Sequence, residues 1–104
     1  MKMNDKIYSI EEIQTRISPI AMQYGVERVY LFGSYAKGCA TEESDIDLRI
    51  GKGMLRGLFA LSGMRLEICD VLSKEVDLLT TNSLDEKFRN KIREDEVLIY
   101  ERAC

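Results

Sequence analysis

Leu31-Phe32-Gly33-Ser34-Tyr35-Ala36-Lys37-Gly38-Cys39-Ala40-Thr41-Glu42-Glu43-Ser44-Asp45-Ile46-Asp47-Leu48 joins an apolar run to an alternating tetrad through a short polar turn. The run, Val29 to Phe32, has the composition of a strand and stops at Gly33-Ser34. Asp45-Ile46-Asp47-Leu48 alternates polar and apolar, which is the period of a strand. Residues i and i+2 of a strand share a face and lie roughly 6.6–6.8 Å apart. Asp45 and Asp47 are therefore expected side by side, with Ile46 and Leu48 pointing into a core. Two carboxylates so placed repel each other unless a positive charge sits between them. Mg²⁺ is the natural candidate, because it takes carboxylate oxygens and keeps places for water and phosphate.

The flanking sequence reads as further strands and helices. Ser9 to Glu12 has the form of a capping box, and Ile10, Ile13, Ile17, Ile20 and Tyr24 follow at helical spacing. Pro19 predicts a kink or break in that helix, and Gly25 its end. Val26 to Phe32 is the first strand, and a short helix near Ser34 to Lys37 follows the Gly-Ser step. Asp45 to Ile50 is the second strand, with Arg49 on the face of the aspartates, close enough to pair with the acidic cluster or to meet a phosphate. From Met54 to Leu72 the pattern is helical, and Leu55, Leu58, Phe59, Ser62, Leu66, Cys69 and Leu72 are expected on one buried face. Glu75 to Thr80 alternates again as a third strand, Ser83 and Glu86 offer a second capping box before Leu84, Phe88 and Ile92, and Val97 to Tyr100 is a last strand. The expected fold is a single compact α/β (α+β) domain over residues 1–104, a mixed β-sheet with helices packed against it.

Composition narrows the chemistry. There is no histidine, which removes Ser-His and Cys-His nucleophilic systems and histidine-based hydrolases. Cys39, Cys69 and Cys104 are too far apart for a structural zinc site. The net charge of −3 carries no basic footprint for an extended nucleic acid, so a small nucleotide or a protein is the favoured substrate. The early apolar residues are broken by Asp5, Lys6 and Glu11-Glu12, and no apolar run approaches the roughly 18 residues that span a membrane. No membrane association and a cytoplasmic location are therefore expected.

Phe32-Gly33-Ser34-Tyr35-Ala36-Lys37-Gly38, followed by Thr41 and Ser44-Asp45-Ile46-Asp47-Leu48, resembles the GS(x)nSDxD signature of the polymerase-β-like nucleotidyltransferase superfamily, and within it the minimal nucleotidyltransferases (MNT). Many members of that group are antitoxins partnered with HEPN-domain toxins. Neither a lone Gly-Ser nor a lone Asp-x-Asp is specific; both together at this spacing, between two strand-like runs, are.

The resemblance implies that Gly33, Ser34 and the turn beside them hold the terminal phosphates of ATP. Lys37 stands where many relatives carry Arg, and is either a phosphate contact or a solvated surface charge. The resemblance also implies a third carboxylate from a later strand. Asp77, in a Val-Asp-Leu context, is favoured over Glu75, its neighbour on the same face. Asp45, Asp47 and Asp77 would then hold one or two Mg²⁺ for transfer of AMP to a hydroxyl, with Asp77 as general base. The short remainder after Asp77 leaves no room for an acceptor-shaping domain, so the acceptor is expected on another chain. The resemblance suggests a tyrosine of a HEPN toxin. A binding-only antitoxin and a small-molecule nucleotidyltransferase of the antibiotic-modifying type are the alternatives.

Overall fold

The computed structural model describes residues 6–51, 57–81 and 85–102. Among these, four helices and four strands follow the order α1 (Ile10–Tyr24), β1 (Arg28–Phe32), α2 (Ser34–Lys37), β2 (Ile46–Gly51), α3 (Gly57–Leu72), β3 (Val76–Thr80), α4 (Glu86–Arg93) and β4 (Val97–Glu101). The strands form one mixed sheet in the order β3-β2-β1-β4. β1 runs antiparallel to both β2 and β4, and β2 runs parallel to β3. Parallel neighbours need a crossover, and α3 supplies it.

Alternation along β2 divides the sheet into two faces. Ile46, Leu48 and Ile50 are fully buried, together with Val29 and Leu31 of β1 and Val76 of β3. Ile13, Ile17 and Ile20 of α1 and Met64, Ile68 and Leu72 of α3 join them in one core. Asp47 and Arg49 fall between the buried residues and so take the opposite face. Phe32 faces the same way, since it stands directly across from Asp47. Phe88 of α4 meets the Phe32 ring edge-on at 6.3 Å, which brings α4 over one end of this second face.

Several local signals act as expected. The Ser9 Oγ accepts from the Glu12 N–H at 3.1 Å while Glu12 accepts from the Ser9 N–H at 3.0 Å, a complete capping box. Gly25, in the left-handed region at φ 69°, closes α1. Pro19 does not break the helix: α1 runs through it from Ile10 to Tyr24. Ile13, Ile17, Ile20 and Ala21 are buried on both sides of the proline, so core packing holds the helix together across the missing donor.

The expected face of α3 is corrected in part. Leu72 is buried and Cys69 packs against the core as expected, but Phe59 is 96% exposed and Leu66 62% exposed, while Met64 and Ile68 are buried in their place. The helix is apolar around most of its circumference, so periodicity alone points in more than one direction. Leu55 and the Leu58 side chain lie outside the described residues. The cap of α4 is also different from the one expected. Asp85 is the N-cap, accepting from the Phe88 N–H at 2.7 Å; Ser83 and Leu84 lie outside the described residues.

Candidate functional site

The site begins at the end of β1. Gly33 has φ 74° and ψ −152°, a conformation that side-chain-bearing residues avoid. A Cβ on Gly33 would overlap Oδ2 of Asp47, so glycine is required both by the turn and by the approach of that carboxylate. α2 follows directly and ends at Gly38, again left-handed at φ 77°. Thr41 and Ser44 shape the return loop: the Thr41 N–H donates to Ser44 Oγ at 2.8 Å, and the Ser44 N–H donates to Thr41 O at 3.0 Å. Asp45 leaves this loop immediately before β2 and is exposed; Asp47 lies within the strand and is half-buried.

The parallel pairing of β2 with β3 brings in the third acid. Asp77 lies directly opposite Asp47 in the register. Burial first, then the Asp77 carboxylate within hydrogen-bonding reach, and then the negative charges of Asp77 and Asp45, push the Asp47 carboxyl up from its ordinary value of 3.8 to about 6. A carboxyl so perturbed by its acidic neighbours is one that a cation would restore to the charged form. Glu75 is directed elsewhere, since its carboxylate accepts from Arg65 Nη2 at 3.1 Å. The register thus brings Asp77, and not Glu75, to Asp47.

The remaining candidates separate. Arg49 turns away from the aspartates and forms a two-pronged pair with Glu96, Nε to Oε2 at 3.0 Å and Nη2 to Oε1 at 2.7 Å. Its Nη1 donates to Thr81 Oγ1 at 2.7 Å, and its guanidinium lies 4.1 Å from the Tyr30 ring centre. Every edge of the guanidinium is therefore engaged, and the expected pairing with the acidic cluster is replaced by pairing with Glu96. Lys37 lies at the rim of a cleft of about 370 Å³, lined also by Phe32, Gly33, Phe88, Lys91 and Asp95. Its Nζ is 3.9 Å from Asp95 Oδ2 and largely in solvent, so it stands beside the Gly-Ser turn without being fixed to it. Tyr35 is buried in the core, as a packing residue would be.

Among the described residues, no three Asp, Glu or Cys side chains gather as a ready-made metal cage. Asp47 and Asp77 are the close pair, and the charge of Asp45 acts on Asp47 from the loop end. Such an open arrangement suits Mg²⁺, which is typically held by one or two carboxylates and completed by substrate phosphates and water. Sequence reasoning did not find Glu96 as the partner of Arg49, nor Lys74, which is buried beside the site at 3% exposure. Neither has a local motif; both act through contacts across the fold.

The chain resembles known proteins over most of its length. Residues 15–103 match the family model described as "Polymerase beta, Nucleotidyltransferase". A protein of Methanocaldococcus jannaschii named "Putative protein adenylyltransferase" is 39% identical over 89 residues, covering 86% of this chain and 96% of its own length. A toxin-antitoxin crystal structure with AMP-PNP superposes at a TM-score of 0.73 and 21% identity, over 86% of this chain and 73% of that one. The Shewanella oneidensis complex of a tri-AMPylated HEPN toxin with its MNT antitoxin gives a TM-score of 0.68 at 18% identity, over 89% of this chain and 73% of that one. At those identities the two structures speak for the fold. The family model and the archaeal relative speak for more: this chain belongs to the polymerase β nucleotidyltransferase family.

Proposed function

We propose that the chain transfers AMP from ATP to a hydroxyl on a partner protein, a tyrosine of a HEPN-domain toxin, and so acts as the antitoxin of the pair. The single observation that carries the chemistry is the register of Asp47 against Asp77, with Gly33 held against the same carboxylate. The name of the archaeal relative supports a protein acceptor, and the AMPylated toxin of the Shewanella complex supports a HEPN partner. The AMP-PNP in the other toxin-antitoxin structure supports ATP as the donor.

In this reading Asp45, Asp47 and Asp77 hold Mg²⁺, which supplies charge neutralisation and orients the triphosphate for in-line displacement. Gly33 leaves the backbone open to the phosphates, and Ser34 contacts them, with Lys37 as a solvent-exposed positive charge at the rim. Asp77 takes the proton of the acceptor hydroxyl as its oxygen bonds to the α-phosphorus. The bond from that phosphorus to the bridging oxygen breaks, and pyrophosphate leaves. Asp47 must be ionised, so its carboxylate becomes competent above about pH 6 in the absence of a cation, and lower once a cation is present. The whole chain, residues 1–104, serves as one catalytic domain.

The test is to incubate the chain with its HEPN partner, ATP and Mg²⁺ and to measure intact masses. A partner heavier by one or more AMP groups, with no gain for Asp45→Asn, is the expected result. An unmodified partner, or neutralisation that survives Asp45→Asn combined with Asp47→Asn, would overturn it in favour of inhibition by contact alone.

A further inference from the structure

Lys74 is the one charged side chain buried among the described residues, at 3% exposure. An ammonium so placed is costly unless it is hydrogen-bonded. Its Nζ donates to the backbone carbonyl of Glu42 at 3.0 Å, 32 residues away in sequence. That carbonyl belongs to the return loop that delivers Asp45. Asp45 itself lies outside β2, and the Ile46 N–H, donating to Glu75 O at 3.1 Å, belongs to the first residue of the ladder. Thr41 and Ser44 fix the shape of the loop through bonds to each other, but those bonds travel with it. Lys74 ties the loop to the start of β3, where Ser73 adopts a left-handed φ of 52° and Asp77 follows on the strand.

We propose that Lys74 is a positioning residue for Asp45: by anchoring the Glu42 carbonyl it holds the loop carboxylate in register with the strand carboxylates Asp47 and Asp77. Asp47 and Asp77 are placed by the sheet and need no such tie. The proposal rests on the metal-binding reading of Asp45 for one of its two readouts and on the loop contact alone for the other.

The first readout is Mn²⁺ binding, followed by electron paramagnetic resonance. Lys74→Met keeps an unbranched stem and removes the ammonium, and is expected to weaken Mn²⁺ binding by about tenfold, the lower end of what loss of a supporting partner does to a metal site. In an Asp45→Asn background the same substitution is expected to cause no further loss. The second readout is amide hydrogen exchange at Ser44 without metal, expected to be about tenfold faster in Lys74→Met. Glu42→Ala keeps the carbonyl and is expected to match the unsubstituted chain in both. Melting curves establish that each variant is folded, and Lys74→Leu, apolar and without a donor, replaces Lys74→Met if the latter is not. Unchanged Ser44 exchange, or an equal loss of Mn²⁺ binding with and without Asp45, overturns the proposal. An unsubstituted chain that binds no Mn²⁺ overturns the metal reading of the site, while Ser44 exchange still decides whether Lys74 holds the loop.

Discussion

Replacing Asp47 by Asn should abolish nucleotidyl transfer and, in metal-free buffer at about pH 7.5, make the protein more stable. Asp47 is pushed from 3.8 to about 6 by burial, by Asp77 and by Asp45. Because the folded value is raised, the proton favours the folded chain. That stability is fully present below the unfolded value of 3.8 and is lost as pH rises through about 6. Taken at face value, at about 1.4 kcal/mol per pH unit, the ionised carboxylate costs the fold about 3 kcal/mol. Asp47 is only half-buried, and solvent screening reduces this to about 1.5 kcal/mol. Asn carries no charge and can donate to the Asp77 carboxylate, so it removes the cost at every pH. For a domain of this size about 1.5 kcal/mol raises the melting temperature by roughly 6–12 °C. Thermal melts with a chelator at about pH 7.5 and about pH 4 provide the assay, the gap between the two proteins being expected to close at the lower pH. Excess Mg²⁺ should raise the melting temperature of the unsubstituted chain and leave Asp47→Asn unmoved, by mass action on a folded-state site. An Asn variant that melts below the unsubstituted chain at about pH 7.5, or a gap of the same size at both pH values, would refute the electrostatic account of the site.

Other expectations follow from single contacts. Gly33→Ala places a methyl on Oδ2 of Asp47 in a left-handed backbone, and should cut transfer activity at least a hundredfold while lowering stability by roughly 1–3 kcal/mol, measured by kinetics and urea unfolding. Ser73→Gly relieves a side chain at φ 52° and should stabilise the chain by about 0.5–1 kcal/mol in the same unfolding assay. Met64→Ala should cost about 2–5 kcal/mol and Phe59→Ala less than about 0.5 kcal/mol; the reverse order would return α3 to the face its sequence first suggests. Arg49→Met leaves Glu96 without its two-pronged partner at 11% side-chain exposure, and should cost about 2–4 kcal/mol in urea unfolding, with Glu96→Gln milder.

What could be read from the sequence was local. The Ser9 capping box, the Gly25 stop, the Gly33-Ser34 turn and the alternation of Asp45 to Leu48 each depend on neighbours within a few residues, where chemistry and backbone geometry are nearly equivalent. Their positions in the fold agree with the sequence to within a residue or two. The break offered at Pro19 does not occur, for the complementary reason. Its local penalty is real, but burial of Ile17, Ile20 and Ala21 around it outweighs the lost bond. α3 misled at Phe59 and Leu66 because an apolar helix carries no single stripe to read, and only packing against α1 and the sheet adds Met64 and Ile68 to Leu72.

The sequence by itself determined which acids are candidates, and why a chain without histidine must rely on them. The strand period also predicted Asp45 and Asp47 side by side on one strand, whereas β2 begins at Ile46 and leaves Asp45 on the loop just before it. For the later acid, the family resemblance favoured Asp77 over Glu75, and the tertiary structure supplied the physical reason. Parallel pairing of β2 with β3 sets Asp77 opposite Asp47, whereas a slip of one residue would have turned that position to the core. The tertiary structure alone decided that Arg49 is taken by Glu96 and that Lys74 reaches the Asp45 loop. Those contacts join residues 47 and 32 apart in sequence, and no local preference encodes a partner at such range.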